Sequence, residues 1–251
     1  PSDYSWDRGI HEYTWGDKRR GLLTLGHILH LLEDATVPDH TRNDPHPPIL
    51  DLGSPYEQWA KKFNSENLSL AAHLIFVKQN SIIFDNLDDY FNKVASYSNK
   101  NFFSKGTTPD KSNIYLDPIL GKEYTERLSN GGLAKFVYNK SSIYRLALVK
   151  FDIIDNQSEY FIKDEDDLVL NDYWAQLSEQ AVLHGSGVVK LFFDEVEEEK
   201  RTRELYNKNR PWVAKIADAA KERIFNLASA LYGISVPYDL ATLDADLNSE
   251  P

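Results

Sequence analysis

The chain lacks cysteine and methionine and contains no long apolar run. Its 251 residues include no cysteine, which excludes disulfides and thiolate ligands, so any metal must be held by nitrogen and oxygen atoms. No segment approaches the roughly 20 apolar residues of a membrane-spanning helix. The sequence starts in polar residues at Pro1, so we expect no signal peptide within these residues. Because methionine is absent as well, we expect that an upstream N-terminal segment has been removed.

Basic residues are fewer than acidic ones, 28 against 39, which gives a formal net charge of −11. Such a charge repels nucleic acid at long range and favours solubility. Hydrophobic residues make up 41% of the chain and aromatic residues 12%, which is enough to build a core. The length then predicts a single domain over residues 1–251.

Hydrophobic spacing predicts a mainly helical protein. Helical patterns cover residues 3–15, 17–35, 55–64, 81–97, 171–206 and 210–232, and Ser54 is the predicted N-cap of the helix that starts at Pro55. Residues 98–132 are predicted to be irregular, whereas 133–170 are rich in β-branched and aromatic residues with turn signals between them. The predicted fold is therefore all-α with a small β-hairpin or meander inserted at 133–170. Residues 233–251 are expected to form a loose C-terminal tail.

The strongest functional signal is a cluster of histidines and carboxylates. Four of the seven histidines fall within twenty residues, and carboxylates accompany or closely follow them: His27, His30, His40, His46, Asp34, Asp39, Asp44 and Glu57. Imidazole and carboxylate groups at short spacing are typical of zinc sites. The other histidines, His11, His73 and His184, are interpreted as ordinary core or surface residues.

Helix geometry predicts how this cluster is arranged. His30 and Asp34 lie four residues apart, so one helix face presents both to a single ion, and the second oxygen of Asp34 can bridge to another ion. Pro38 is predicted to end the helix, which lets His40 approach from another direction. His27 shares part of the His30 face and is assigned to the second shell, where it would orient a ligand.

The pattern L-G-x-x-x-H-x-x-x-D-x-x-x-P-x-H is filled here by Leu25, Gly26, His30, Asp34, Pro38 and His40. It resembles the signature of the zinc-dependent phospholipase C and P1/S1 nuclease superfamily, whose members are helical, secreted phosphodiesterases with three zinc ions. The resemblance covers only about residues 20–60. It implies that His30 and Asp34 bind one zinc, that Asp34 bridges to a second and takes part in catalysis, and that His40 binds a third.

The chain departs from this family pattern in two places. The family completes the third zinc site with an H-x-x-x-E or H-x-x-x-D motif, but the equivalent stretch here runs from Gly53 to Glu57, so the carboxylate is present and the histidine is not. Either His46 replaces that ligand or the site is weakened or lost. The family also takes ligands from an N-terminal tryptophan and nearby residues. Trp6 is not terminal, so those ligands are expected on a removed segment or on another chain.

The resemblance implies a zinc-dependent phosphodiester hydrolase, most closely a phospholipase C, that uses two or three zinc ions. The expected substrate is a phospholipid or another phosphodiester, and the location is secreted, periplasmic or extracellular. A nuclease of the P1/S1 type is one alternative, although the excess of acids argues against nucleic acid. The other alternative is a non-catalytic helical domain that keeps a residual structural metal site.

Overall fold

The computed structural model describes residues 4–44, 53–61, 79–109, 118–154 and 156–209, together with Leu74 and Val77. It contains two compact units, Pro1–Glu197 and Glu198–Pro251. The helix predicted at 210–232 and the tail predicted at 233–251 lie outside the described residues. The prediction of a single domain that lacks an upstream segment stays a prediction.

Helices are found at five of the six predicted positions, but the helix predicted at 81–97 runs from Leu87 to Asn101, and a short helix at Pro38–Thr41 was not predicted. The described helices are α1 Trp6–Trp15, α2 Lys18–Asp34, α3 Pro38–Thr41, α4 Pro55–Ala60, α5 Leu87–Asn101, α6 Leu168–Thr202 and α7 Glu204–Asn209, with a 3₁₀ turn at Lys105–Thr107. Helix α2 shows why these segments are helical. Asp17 caps it by accepting a hydrogen bond from the Arg19 N–H, and Leu25, Ile28 and Leu32 bury one face.

Four antiparallel strands lie between α5 and α6. They are β1 Leu120–Arg127, β2 Leu133–Asn139, β3 Arg145–Asp152 and β4 Gln157–Phe161, and they pair in the order β1-β2-β3-β4. This order makes the sheet a meander in which each strand pairs with its sequence neighbour. Strand β1 falls inside the segment that was predicted to be irregular. Most of its side chains are exposed, so it lacks the alternation of apolar and polar residues that identifies a half-buried strand.

The sheet forms a layer of the main hydrophobic core. Buried residues of β2 and β3, among them Phe136 and Leu146, belong to the same cluster as Tyr173 and Leu177 of α6. The Tyr173 hydroxyl donates to the carbonyl of Leu146 at 2.8 Å and accepts from the N–H of Phe103 at 3.1 Å. One buried tyrosine therefore joins helix α6, strand β3 and the chain that follows α5.

The predicted all-α fold class was wrong, because the protein has a mixed α and β fold. The error has a physical cause: the sheet was taken for a small insertion, whereas its strands supply much of the core against which α6 packs. None of the described helices combines the length and apolar character that crossing a bilayer requires.

Candidate metal centre

Helix α2 presents His30 and Asp34 on one face, as their spacing predicted. The apolar face of α2 is buried through Leu25, Ile28 and Leu32, which turns His30 and Asp34 toward a more exposed side. Nε2 of His30 lies 3.9 Å from Oδ2 of Asp34. The His30 side chain is 69% exposed and that of Asp34 is 37% exposed, so solvent and small ions can reach both groups.

Pro38 begins a helix and does not end the preceding one. Helix α2 finishes at Asp34, and Pro38 takes the first position of the one-turn helix α3, where proline is favoured because its missing N–H would have no partner within the helix. This turn brings His40 back toward the end of α2. Nδ1 of His40 lies 3.2 Å from the backbone carbonyl oxygen of Asp34.

The hydrogen bond to Asp34 fixes the orientation of the His40 ring. A carbonyl oxygen only accepts, so Nδ1 is the donor, and Nε2 is the ring nitrogen left to bind an ion. Nε2 lies 3.5 Å from Oε1 of Glu57. A zinc-binding histidine usually has this arrangement, in which one nitrogen donates to a carbonyl and the other faces the ion. The tautomer assigned here follows from the geometry of the acceptor.

Ser54 holds Glu57 in position. As predicted, Ser54 caps helix α4, because its hydroxyl oxygen accepts from the Glu57 N–H at 3.2 Å. The same hydroxyl donates to Oδ2 of Asp39 at 2.7 Å, and both Ser54 and Asp39 are buried. This contact fastens α4 to α3, so Glu57 and His40 are held at a defined separation by a buried pair outside the exposed cluster.

Hydrogen bonds from the C-terminal end of α5 hold the segment that contains Thr36, Thr41 and Arg42. The Ser98 hydroxyl donates to the Thr36 carbonyl at 2.9 Å, and the Asn99 side chain donates to the Thr41 carbonyl at 2.6 Å. Arg42 is buried, donates from Nε to the Thr107 hydroxyl at 2.6 Å and also contacts the carbonyl of Asn99. Arg42, which is the one lysine or arginine in residues 36–55 of the sequence, therefore serves packing.

Pairwise spacing tests whether zinc fits these residues. Two ligands of one tetrahedral zinc, each about 2.0–2.2 Å from the ion, lie roughly 3.4 Å apart. The 3.5 Å between His40 Nε2 and Glu57 Oε1 matches this separation. The 3.9 Å between His30 Nε2 and Asp34 Oδ2 is about half an ångström wider. Asp34 also approaches His40, with its Oδ1 4.0 Å from Nδ1.

The four side chains form a chain of pairs and do not converge on one point. Among the described residues, no group of three or more histidine or carboxylate side chains could hold a metal ion together. Imidazole geometry explains this result for His40, whose two nitrogens point away from each other, so that Asp34 and Glu57 lie on different sides of its ring. The donor types and pairwise distances fit zinc, but each pair supplies two ligands where a catalytic zinc takes three.

The remaining predicted site residues are placed differently. His27 is exposed on α2, and its ring contacts that of Tyr4 with 4.2 Å between the centroids; its assignment to the second shell stays a prediction. His46 lies outside the described residues, so its role as a replacement ligand also stays a prediction.

Gly53 has a φ of +78°, a conformation in which a histidine would be strained. The backbone at this position therefore disfavours the histidine that the family pattern places there.

A cavity of about 520 Å³ opens beside the cluster. His30, Asp34 and Glu57 line it together with an apolar wall that consists of Val37, Tyr56, Ala60, Trp174, Ala181 and Val182. Burial raises the pKa of the Tyr56 phenol above its usual range, so this hydroxyl stays protonated at neutral pH. The cavity can take an apolar group whose polar end reaches the histidines and carboxylates.

The sequence alone did not reveal the part played by Asp39. It was noted as one of several carboxylates near the histidines, but it is 1% exposed and binds Ser54. The sequence did contain a signal for this hydrogen bond, because Ser54 was predicted to cap a helix. A capping hydroxyl has a proton to donate as well as an oxygen that accepts.

No family model, no curated protein and no solved structure matches this chain. The superfamily resemblance therefore depends on the signature residues themselves.

Proposed function

We propose that this protein is a zinc-dependent phosphodiester hydrolase that acts on phospholipid-like diesters. The observation that carries the proposal is the orientation of His40, whose Nδ1 donates to the Asp34 carbonyl while Nε2 lies 3.5 Å from Glu57. In this proposal His40 and Glu57 hold one zinc ion, with His46 as the third ligand. His30 and Asp34 hold another, and the ligands still missing come from outside the described residues.

The chain's own residues bind, orient and transfer a proton in this scheme. When bound, zinc supplies Lewis acidity, which polarises phosphoryl oxygens and lowers the pKa of coordinated water to about 7. Oδ2 of Asp34 faces His30, whereas Oδ1 is turned toward His40. We assign Oδ1 as the atom that accepts the proton of the attacking water. Ser54 and Asp39 keep Glu57 beside His40 throughout.

The cavity wall favours a lipid over a nucleic acid. One wall of the cavity consists of six apolar or aromatic residues, and the rest of the lining is polar or charged; the apolar wall suits the glycerol and acyl part of a phospholipid. A nuclease requires several basic residues along its substrate path, whereas Lys61 is the one lysine or arginine among the described residues that line the cavity, and Arg42 is buried against Thr107. The net charge of −11 opposes a polyanion as well. The P1/S1-type nuclease therefore remains the weaker form of the proposal.

A second candidate is a non-catalytic domain with a structural metal site. Two observations favour it: each described pair offers two ligands, with no group of three among the described residues, and the backbone at Gly53 has a positive φ. Metal content separates the two candidates. The hydrolase requires two or three zinc ions per chain, whereas a structural remnant binds one or none.

The test combines zinc content with hydrolysis. After dialysis against zinc, the wild-type chain is assayed with a short-chain phosphatidylcholine and with bis(4-nitrophenyl) phosphate. We expect turnover that a chelator abolishes and added zinc restores. Asp34→Asn and Glu57→Gln should lower both zinc content and turnover. Glu33→Gln is the matched control, because it removes a carboxylate beside the same cavity without touching a proposed ligand.

Two results would contradict the proposal. A zinc-loaded chain that hydrolyses neither diester would support the structural candidate. Equal zinc content in Asp34→Asn, Glu57→Gln and the wild type would remove these carboxylates from any metal site.

A further inference from the structure

The turn between β3 and β4 exposes large apolar side chains. Ile153 is 86% exposed and Ile154 is 93% exposed, and Phe151 at the end of β3 is 60% exposed. Single exposed apolar residues are common on soluble proteins, but a contiguous group of them usually marks an interaction site. Two adjacent isoleucines that are almost fully exposed therefore indicate a surface that binds another molecule.

A side-chain hydrogen bond holds the start of this turn. Oδ1 of Asp152 accepts from the N–H of Ile154 at 2.8 Å, and Asp152 pairs with Gln157 across the two strands. Asn156 adopts a φ of +53°, a conformation that asparagine tolerates better than most residues. Ile153 and Ile154 thus protrude from backbone that the Asp152 side chain holds in place.

The apolar surface extends to the neighbouring hairpin. Leu133 at the start of β2 is 71% exposed, and it lines a recess of about 570 Å³ together with Phe151. The same recess is lined by the bases Lys135, Lys150 and Lys163 and by the acids Asp164 and Glu165. Three lysines and two acids therefore surround the apolar side chains at this end of the sheet.

The charge of the sheet differs in sign from that of the whole chain. Residues 133–163 contain five basic and three acidic residues, whereas the complete chain has a net charge of −11. Within this region Lys135 pairs with Glu123 at 2.5 Å, and Lys150 Nζ lies 4.9 Å from the centroid of the Phe161 ring. Basic side chains around an apolar tip match the charge of an anionic lipid surface.

The size of the patch favours a membrane over a second protein. At roughly 150 Å² for each large side chain, Leu133, Phe151, Ile153 and Ile154 expose about 500 Å². A stable protein interface requires about 800 Å² from each partner. A bilayer, in contrast, accepts individual side chains that protrude from a turn.

We propose that the β3–β4 turn inserts Phe151, Ile153 and Ile154 into the interfacial region of a phospholipid bilayer that contains anionic lipid, while nearby lysines contact the headgroups. This surface lies outside the candidate metal centre. The proposal is therefore independent of the proposed hydrolase activity.

The experiment is vesicle co-sedimentation of the full chain, with phosphatidylcholine vesicles that either contain or lack phosphatidylserine. Ile154→Asp is compared with Ile143→Asp, in which the same change is made in the β2–β3 turn at the other end of β3. Ile143 is 69% exposed, so both substitutions add one charge at an exposed isoleucine. Ile154→Leu keeps the apolar side chain, and circular dichroism verifies the fold of each variant.

We expect the wild type, Ile143→Asp and Ile154→Leu to bind the anionic vesicles alike, and Ile154→Asp to bind about tenfold or more weakly. Binding should decrease with added salt, because the lysine contribution is screened. Absence of wild-type binding to both kinds of vesicle would overturn the proposal, as would equal losses in the two Asp variants. A dimer that Ile154→Asp converts to a monomer, without vesicle binding by the wild type, would identify a second copy as the occupant.

Discussion

Oγ of Ser54 lies 2.7 Å from Oδ2 of Asp39, and both side chains are buried. This contact joins helices α3 and α4, and these helices carry His40 and Glu57. Because Ser54 is also the N-cap of α4, one hydroxyl both caps the start of that helix and sets the spacing of a candidate ligand pair.

We predict that Ser54→Ala destabilises the fold by about 2–4 kcal/mol. Loss of the cap costs about 1 kcal/mol, and withdrawal of a hydrogen bond from buried Asp39 adds roughly 1–3 kcal/mol. Asn86→Ala is the control, since Asn86 caps α5 through an exposed hydrogen bond to Asp89 and should cost only about 1 kcal/mol. Urea unfolding measures both variants. Equal losses would show that the contact with Asp39 adds nothing to the cap.

A comparison of His30 with His27 distinguishes a ligand from an outer-shell residue. Both are exposed on α2, but only His30 lies near Asp34, at 3.9 Å. We predict that His30→Ala lowers the number of zinc ions bound per chain. We expect His27→Ala to keep that number and to weaken affinity by about 10–100-fold, as outer-shell losses do. Zinc titration with a competing chelator measures both quantities. Unchanged binding in His30→Ala would remove it from the site.

Two glycines of α6 should respond in opposite ways to alanine. A Cβ at Gly187 would lie 2.0 Å from the carbonyl oxygen of Ile82, whereas one at Gly185 would meet only Leu29, at 3.7 Å. We predict that Gly187→Ala destabilises the protein by about 1–3 kcal/mol through overpacking. Gly185→Ala should stabilise the helix by up to about 1 kcal/mol. Urea denaturation measures both, and changes of the same sign would contradict the close approach of residue 82 to α6.

Stability should decrease below neutral pH because of His184. Its ring is buried near Phe84 and Tyr90, and Nδ1 donates to the Gln180 carbonyl at 2.9 Å. Burial lowers the pKa of His184 from its ordinary 6.5. The unfolded chain therefore binds this proton more readily than the folded chain does. The stabilising effect is complete above about pH 6.5 and is lost as the pH falls toward the lowered pKa.

The test compares melting temperatures at pH 7.5 and 5.5 for the wild type and His184→Gln. We expect the difference between the two pH values to be smaller in the variant, because the titrating group has been removed. Glu126 also has a lowered pKa: burial opposes its ionisation, but hydrogen bonds from Arg145 and Tyr138 outweigh that effect. Because the ordinary pKa of Glu126 is 4.5, the stability that this carboxylate contributes is lost mainly below the pH range of the test. An identical pH dependence in both proteins would contradict the role of His184.

Local sequence signals predicted the helices well where one pattern dominates. The segment predicted as a helix at 17–35 is found at Lys18–Asp34, and the predicted cap at Ser54 is present. The sheet was underestimated. Strand β1 is mostly exposed and carries no alternation, so its pairing with β2 depends on tertiary contacts that a local pattern does not contain.

By itself, the sequence limited which ligand types any metal could have, and it grouped His30 with Asp34. The absence of cysteine restricts any metal to nitrogen and oxygen ligands, and helical spacing alone places residues four apart on one face. Only the tertiary structure decided that Glu57 meets His40, that Arg42 is buried and that the sheet belongs to the core. These relationships join residues far apart in the chain through packing and buried hydrogen bonds, and no local periodicity encodes them.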